Sequence, residues 1–114
     1  MDELKPMCEP PHPGEFIAEV YLEPFHVSAR QLAARLDVAP STVARLLSGA
    51  HRISPEMALR LSKALGRSAE SWLAMQDAHD LWQARREVSL DRVQRLELAA
   101  NEHTLRLLTL GAEL

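Results

Sequence analysis

Apolar residues recur along most of this chain at intervals of three and four, the period of helices with one inward face. Phe16, Val20 and Tyr21, with Ile17 beside them, mark a first helix that Pro13 opens and Pro24 ends. Ser28 caps a second: Gln31 stands three residues on, a capping-box spacing, and Leu32, Ala33 and Leu36 form its inner side. A third begins near Pro40, turns Val43, Leu46 and Leu47 inward, and ends at Gly49. Ser54 and Pro55 open a fourth, striped by Met57, Ala58, Leu61 and Leu65 and closed by Gly66. Ser68 caps a fifth, on which Trp72, Met75, His79 and Trp82 follow at spacings of 3, 4 and 3 and read as a core stripe. From Ser89 to about residue 110, Val93, Leu96, Ala100, His103, Leu107 and Leu110 recur as a heptad-like seam, and a helix of about 22 residues would span roughly 33 Å. No strand-like alternation stands out, so the expected fold is all-α. It comprises a flexible arm over residues 1–12, a five-helix domain over 13–86, and a C-terminal helix over 87–114 for dimerisation or packing.

Composition narrows the class. The chain has 114 residues, of which 46% are hydrophobic, enough for one small core and too apolar for a disordered chain. The N-terminus has no basic stretch followed by an apolar one, and no apolar run is long enough for a membrane, so a cytoplasmic location is expected. The net charge is −3, which by itself argues against a nucleic-acid partner, but its distribution is uneven. Residues 1–27 sum to −5, residues 28–67 to +5 and residues 68–114 to −3. The basic block consists of Arg30, Arg35, Arg45, Arg52, Arg60, Lys63 and Arg67 against Asp37 and Glu56. It reads either as one DNA-facing surface on an acidic protein or as a solvated helical face.

Enzyme chemistry finds little support. His12, His26, His51, His79 and His103 are scattered, with no two at metal-ligand spacing beside a third candidate. No H-E-x-x-H, paired cysteine or P-loop occurs, and the lone Cys8 reads as an incidental thiol. Neither cofactor nor metal is expected. His103, on the seam, reads as a packed or interface residue.

The segment RQLAARLDVAPSTVARLLSG, residues 30–49, carries a more specific pattern. Two helices that cross closely need a small residue at the contact, and Ala33 supplies it. An apolar residue after the turn locks the pair, and Val38 does so. Val43 and Leu46 recur on the buried side of the second helix. Its outer N-terminal end then presents Pro40, Ser41, Thr42 and Arg45, placed to reach base edges in a major groove, with the Arg fork suited to guanine. Ser28, Arg30, His51 and Arg52 are the candidates for phosphate. Asp37 occupies a turn position that usually takes Gly, because the backbone there is left-handed; Asp tolerates that conformation better than most residues. The plainer reading is a helical hairpin with a polar outer face.

Residues 12–86 closely resemble the HigA-type antitoxins of the repressor-like (Xre/phage-repressor) helix-turn-helix family. The motifs are HPGE at the start, S-x-x-x-LA through SG in the middle, then ISPEMALRL, then S-x-x-W-L-x-M-Q. The resemblance implies a five-helix repressor-like domain that dimerises, binds a palindromic operator and represses its own operon. It also implies a partner, a small basic HigB-like toxin that cleaves mRNA. Where related repressors often follow the Ser28 cap with a phosphate-contacting Gln, this chain has Ala29, and Arg30 is the substitute. Two alternatives stand beside this reading. One is a stand-alone transcriptional regulator. The other is a protein-interaction module that does not bind DNA, suggested by the net negative charge and the apolar seam. For that seam, dimerisation through Val93, Leu96, Ala100, Leu107 and Leu110 competes with folding back on the same chain.

Overall fold

The computed structural model describes residues 9–99 and 101–112. Its elements are α1 (Pro13–Ile17), α2 (Ala29–Leu36), α3 (Pro40–Leu47), α4 (Pro55–Leu65), α5 (Ala69–Glu87) and α6 (Glu102–Ala112). The helix starts follow from local chemistry. Ser28, Ser54 and Ser68 each accept a backbone N–H three residues on, and Gln31 completes a capping box by accepting the Ser28 N–H at 2.8 Å. At α1, the His12 Nδ1 accepts the Gly14 N–H at 2.9 Å, with Pro13 at the first helical position.

The chain leaves α1 through a widened π-helical turn, Ala18–Leu22, with the Glu23 N–H donating to the Ala18 carbonyl at 2.9 Å. Pro24 accounts for the widening. It has no N–H for the Val20 carbonyl, and its ring would crowd that carbonyl in a regular helix. Val27 then donates to Leu22, and the reversal runs through His26 in the left-handed region at φ 56°.

The core gathers Ile17, Leu32, Leu36, Val43, Leu46, Ile53, Leu61 and Trp72, all buried. Trp72 packs edge-on against Phe16 and lies tilted beside Tyr21, each at 6.1 Å between ring centres. α1 meets α3 backbone to backbone. A methyl group built on Gly14 would lie 2.8 Å from the Leu46 carbonyl carbon and 2.9 Å from the Leu47 Cα, and would overlap the Leu46 carbonyl oxygen. Gly14 is therefore required by contact rather than by its own torsion angles.

Two polar side chains of α5 are buried, one inside the expected stripe and one outside it. Gln76, polar and outside that stripe, is buried, because its Oε1 accepts the Ile53 N–H at 2.8 Å and its Nε2 donates to Asp80 at 3.1 Å. His79 is buried too, and its Nδ1 lies 2.9 Å from the Pro10 carbonyl. A carbonyl only accepts, so this Nδ1 carries the proton. The His12 ring stands edge-on to His79 at 5.2 Å. The arm expected over residues 1–12 is thus fastened to the domain from Pro10 onward; residues 1–8 lie outside the described residues.

The continuous helix expected over residues 89–110 is not formed. α5 stops at Glu87, and Val88 is extended (φ −97°, ψ 129°). Ser89, expected as a helix cap, instead accepts the Asp91 N–H in a turn, and Val93 donates to Leu90. Residues 93–99 then run without helix, turn or bend. A separate helix begins where the Asn101 Oδ1 accepts the Thr104 N–H at 2.8 Å. The proposed seam is therefore broken. Val93 and Leu96 lie on the non-helical run, Leu107 and Leu110 lie exposed on α6, and Ala100 is outside the described residues. A stripe of fewer than three heptads is marginal as one continuous helix without a surface to pack on, and among the described residues its leucines are exposed.

Two consequences are measurable. Gly14→Ala should lower stability by about 3 kcal/mol in urea denaturation, because backbone rather than a movable side chain blocks the methyl group. The His12 imidazole is held below its ordinary value of 6.5, by burial first and the neighbouring His79 next, against the weaker pull of Asp80, the His51 backbone and Glu15. The folded state thus binds fewer protons than the unfolded chain. Stability should be full above pH 6.5 and fall as the pH drops towards the lowered folded value. Urea midpoints compared at pH 7.5 and 5.5 should show this loss, and His12→Asn, which keeps a capping oxygen, should reduce it.

Candidate nucleic-acid interface

α2 and α3 are joined by a turn whose geometry follows from its hydrogen bonds. Asp37 is left-handed at φ 59°, ψ 48°; its N–H donates to Ala34 at 3.3 Å, and the Val38 N–H donates to Ala33 at 3.1 Å. This is a Schellman closure built on Asp in place of Gly. The left-handed backbone costs roughly 1 kcal/mol. Arg60 of α4 offsets it: its Nη1 donates to the carbonyls of Leu36 at 2.7 Å and Asp37 at 3.2 Å, while Glu56 holds its other nitrogens. A cation at the carbonyl end of α2 also opposes the helix dipole there.

The turn delivers α3 with Val43 and Leu46 buried and Pro40, Ser41, Ala44 and Arg45 exposed, while Thr42 is half-buried. Ser41 and Arg45 stand one turn apart on the outer face. Among the described residues, no carboxylate lies within ion-pair distance of Arg45. Ala44 belongs to the same face and was not anticipated. It carries no polar signal, but a methyl group there suits contact with a thymine methyl. After α3 the chain turns away through Gly49, left-handed at φ 85°, and the Ser48 hydroxyl and the Ala50 and His51 amides all donate to the Arg45 carbonyl.

The remaining candidates fare differently. Ser28 and Arg30 are exposed at the first turn of α2, but the Ser28 side chain and amide are already engaged by Gln31. His51 is exposed in the loop after α3. Arg52 beside it is held by α5, with Nε donating to Asp80 at 2.6 Å and Nη2 reaching Asp77 at 3.4 Å. Burial alone would push the Asp80 carboxyl up, but hydrogen bonds from Arg52 and Gln76 and the charge of Arg52 leave it below its usual value. Arg52 therefore meets a phosphate only in competition with carboxylates already in place.

This changes the meaning of the basic block. Arg52 and Arg60 are engaged in ion pairs, and the Arg67 guanidinium lies over the rings of Phe16 at 5.3 Å and Trp72 at 5.5 Å. Arg30, Arg35, Arg45 and Lys63 are exposed. Among the described residues, no three His, Cys, Asp or Glu side chains are placed to hold a metal ion, and no helix is long and apolar enough to cross a membrane.

Known proteins share this arrangement. The Helix-turn-helix family matches residues 20–72, which include α2, α3 and α4. An uncharacterised HTH-type transcriptional regulator of Escherichia coli, YddM, is 41% identical over 79% of this chain and 95% of its own. A solved addiction module antidote protein of the HigA family from Coxiella burnetii superposes with a TM-score of 0.72 at 35% identity, covering 79% of this chain and all of that one. The Pseudomonas aeruginosa antitoxin HigA, solved with the higBA promoter, superposes with a TM-score of 0.69 at 30% identity, covering 80% and 99%. With its capped α2, left-handed turn and outward-facing α3, this chain belongs to the Xre-like helix-turn-helix family, in the branch that holds the HigA-type antitoxins.

Proposed function

We propose that this protein is a sequence-specific repressor and antitoxin that binds the operator of its own operon and neutralises a small basic HigB-like, mRNA-cleaving toxin. The observation that carries the DNA reading is Arg45. It is exposed on the outer face of α3, one turn from Ser41, while the other face of that helix is buried against the core. A guanidinium in that position can pair with both acceptors of a guanine edge. A dimer would set two copies of α3 in successive major grooves about 34 Å apart. Arg45, Ser41 and Thr42, with Pro40 at the helix start, would meet bases. Arg30, the start of α2 at Ser28, and His51 would meet phosphates, with Arg52 secondary because Asp80 already holds it. The promoter-bound relative from Pseudomonas aeruginosa supports the DNA part of this reading, and the antidote and antitoxin names of the relatives support the toxin part.

Fluorescence anisotropy on the DNA upstream of the protein's own reading frame, against a scrambled duplex at two salt concentrations, tests the first part. The upstream duplex should bind more tightly and in a salt-sensitive way, and Arg45→Ala should weaken it by about tenfold or more. Equal binding to both duplexes would remove the base-reading role. The toxin part is tested by co-expression with the adjacent reading frame: a stable co-purifying complex is the expected result, and a clean, partner-free protein would favour a stand-alone regulator.

A further inference from the structure

Two adjoining hollows lie beside α2 and α4, and no residue of α3 lines either of them. The smaller is a slot of about 250 Å³ walled by Tyr21, Val27, Leu32 and Leu65, with Gln31 as a polar wall. This slot is built in advance of any ligand. The Tyr21 ring is held between Phe16 and Trp72, each at 6.1 Å between ring centres. The Gln31 Oε1 is engaged by the Ser28 N–H, and among the described residues its Nε2 has no acceptor. The larger hollow is a basin of about 750 Å³ with Arg35, Arg60 and Lys63 in its wall, beside Asp37. Arg35 and Ala64 line both, which makes one groove with an apolar end and a cationic end. Small-molecule sites have this size and this mixture of apolar wall and a few placed polar groups.

We propose that this groove binds a nucleoside monophosphate, with the base in the slot and the phosphate in the basin. Charge selects the head group. Arg60 is already occupied by Glu56 and by the carbonyls of Leu36 and Asp37. Arg35 and Lys63 are exposed, and among the described residues no carboxylate lies within ion-pair distance of either. Two such cations match one phosphate monoester, which carries a charge of about −1.5 to −2 at neutral pH. The Asp37 carboxylate on the same wall repels a longer phosphate chain. The slot selects the body. Its apolar walls and fixed aromatic ring suit a flat base, and the Gln31 amide suits the acceptors on a base edge. Arg35 follows Gln31 by one turn of α2, about 6 Å along the helix axis, so one ligand reaches both. The basin also adjoins the helix-turn-helix, because Arg60, which holds the Asp37 turn, forms part of its wall. The site needs neither Arg45 nor a second copy of the chain, so it stands or falls apart from the operator reading.

The test is isothermal titration calorimetry of the full-length chain with AMP, GMP, CMP and UMP. At least one should bind, with one ligand per chain. Inorganic phosphate and the matching nucleoside should each bind more weakly by about tenfold or more, and the matching triphosphate no more tightly than the monophosphate. Arg35→Ala and Lys63→Ala should each weaken binding by about tenfold, the loss expected for a hydrogen bond to a charged group. Gln31→Glu keeps an oxygen for the Ser28 N–H but removes the amide donors, and should also weaken binding. All three side chains are exposed, so thermal melting of the domain should stay cooperative in each variant. Binding of none of the four nucleotides, inorganic phosphate as tight as the nucleotide, a tighter triphosphate, or variants without effect would each overturn the site. Variants that lose affinity for the upstream duplex while no nucleotide binds would also overturn it, and would assign Arg35 and Lys63 to backbone phosphates of DNA.

Discussion

The contact on which the rest of this structure depends is the approach of α1 to the end of α3 at Gly14. Backbone there lies where any larger residue would place its Cβ. α3 is only eight residues long, too short to persist alone in water, and its geometry has to come from its neighbours. Gly14 lets α1 clamp its C-terminal end, Ala33 lets α2 cross beneath it, and Val43 and Leu46 fill the space between. The HPGE segment then has a physical meaning at each position. His12 caps, Pro13 starts the helix, Gly14 permits the contact, and Glu15 lies near the positive end of the dipole.

Polar pins complete the positioning. Arg60 holds the left-handed turn from α4. Gln76 and Asp80 hold the loop after α3 from α5, through the Ile53 amide and Arg52. Each pin joins elements distant in sequence, and each places its polar atoms in hydrogen bonds rather than leaving them buried and unpaired. Part of the basic block is thereby used in holding the domain together. The positive field at the outer face rests on fewer groups than the sequence contains, with Arg45 and Arg30 prominent among them.

The helix-turn-helix reading and the seam reading of this chain differed in outcome for one reason. Helix starts, the turn at Asp37 and the exposed end of α3 are short-range matters, set by residues within four positions of each other. Ser28 with Gln31, Asp37 with Ala33, and Ser41 with Arg45 were all legible on that scale. The seam from Val93 to Leu110 has helical spacing too, but spacing creates a helix only where the stripe finds a surface. Asn101, a capping residue in the middle of that stripe, was the local sign that the helix starts later.

The sequence by itself therefore determined the all-α class, the limits of the five domain helices to within a few residues, and the outward placement of Ser41 and Arg45. These follow from capping, periodicity and turn chemistry, which act over a turn or two of chain. Only the tertiary structure decided that Gln76 is buried, that Arg52 and Arg60 serve the fold, and that Pro10 and His12 belong to the domain. Those outcomes depend on which groups meet across twenty or more residues, and one-dimensional spacing does not record such meetings.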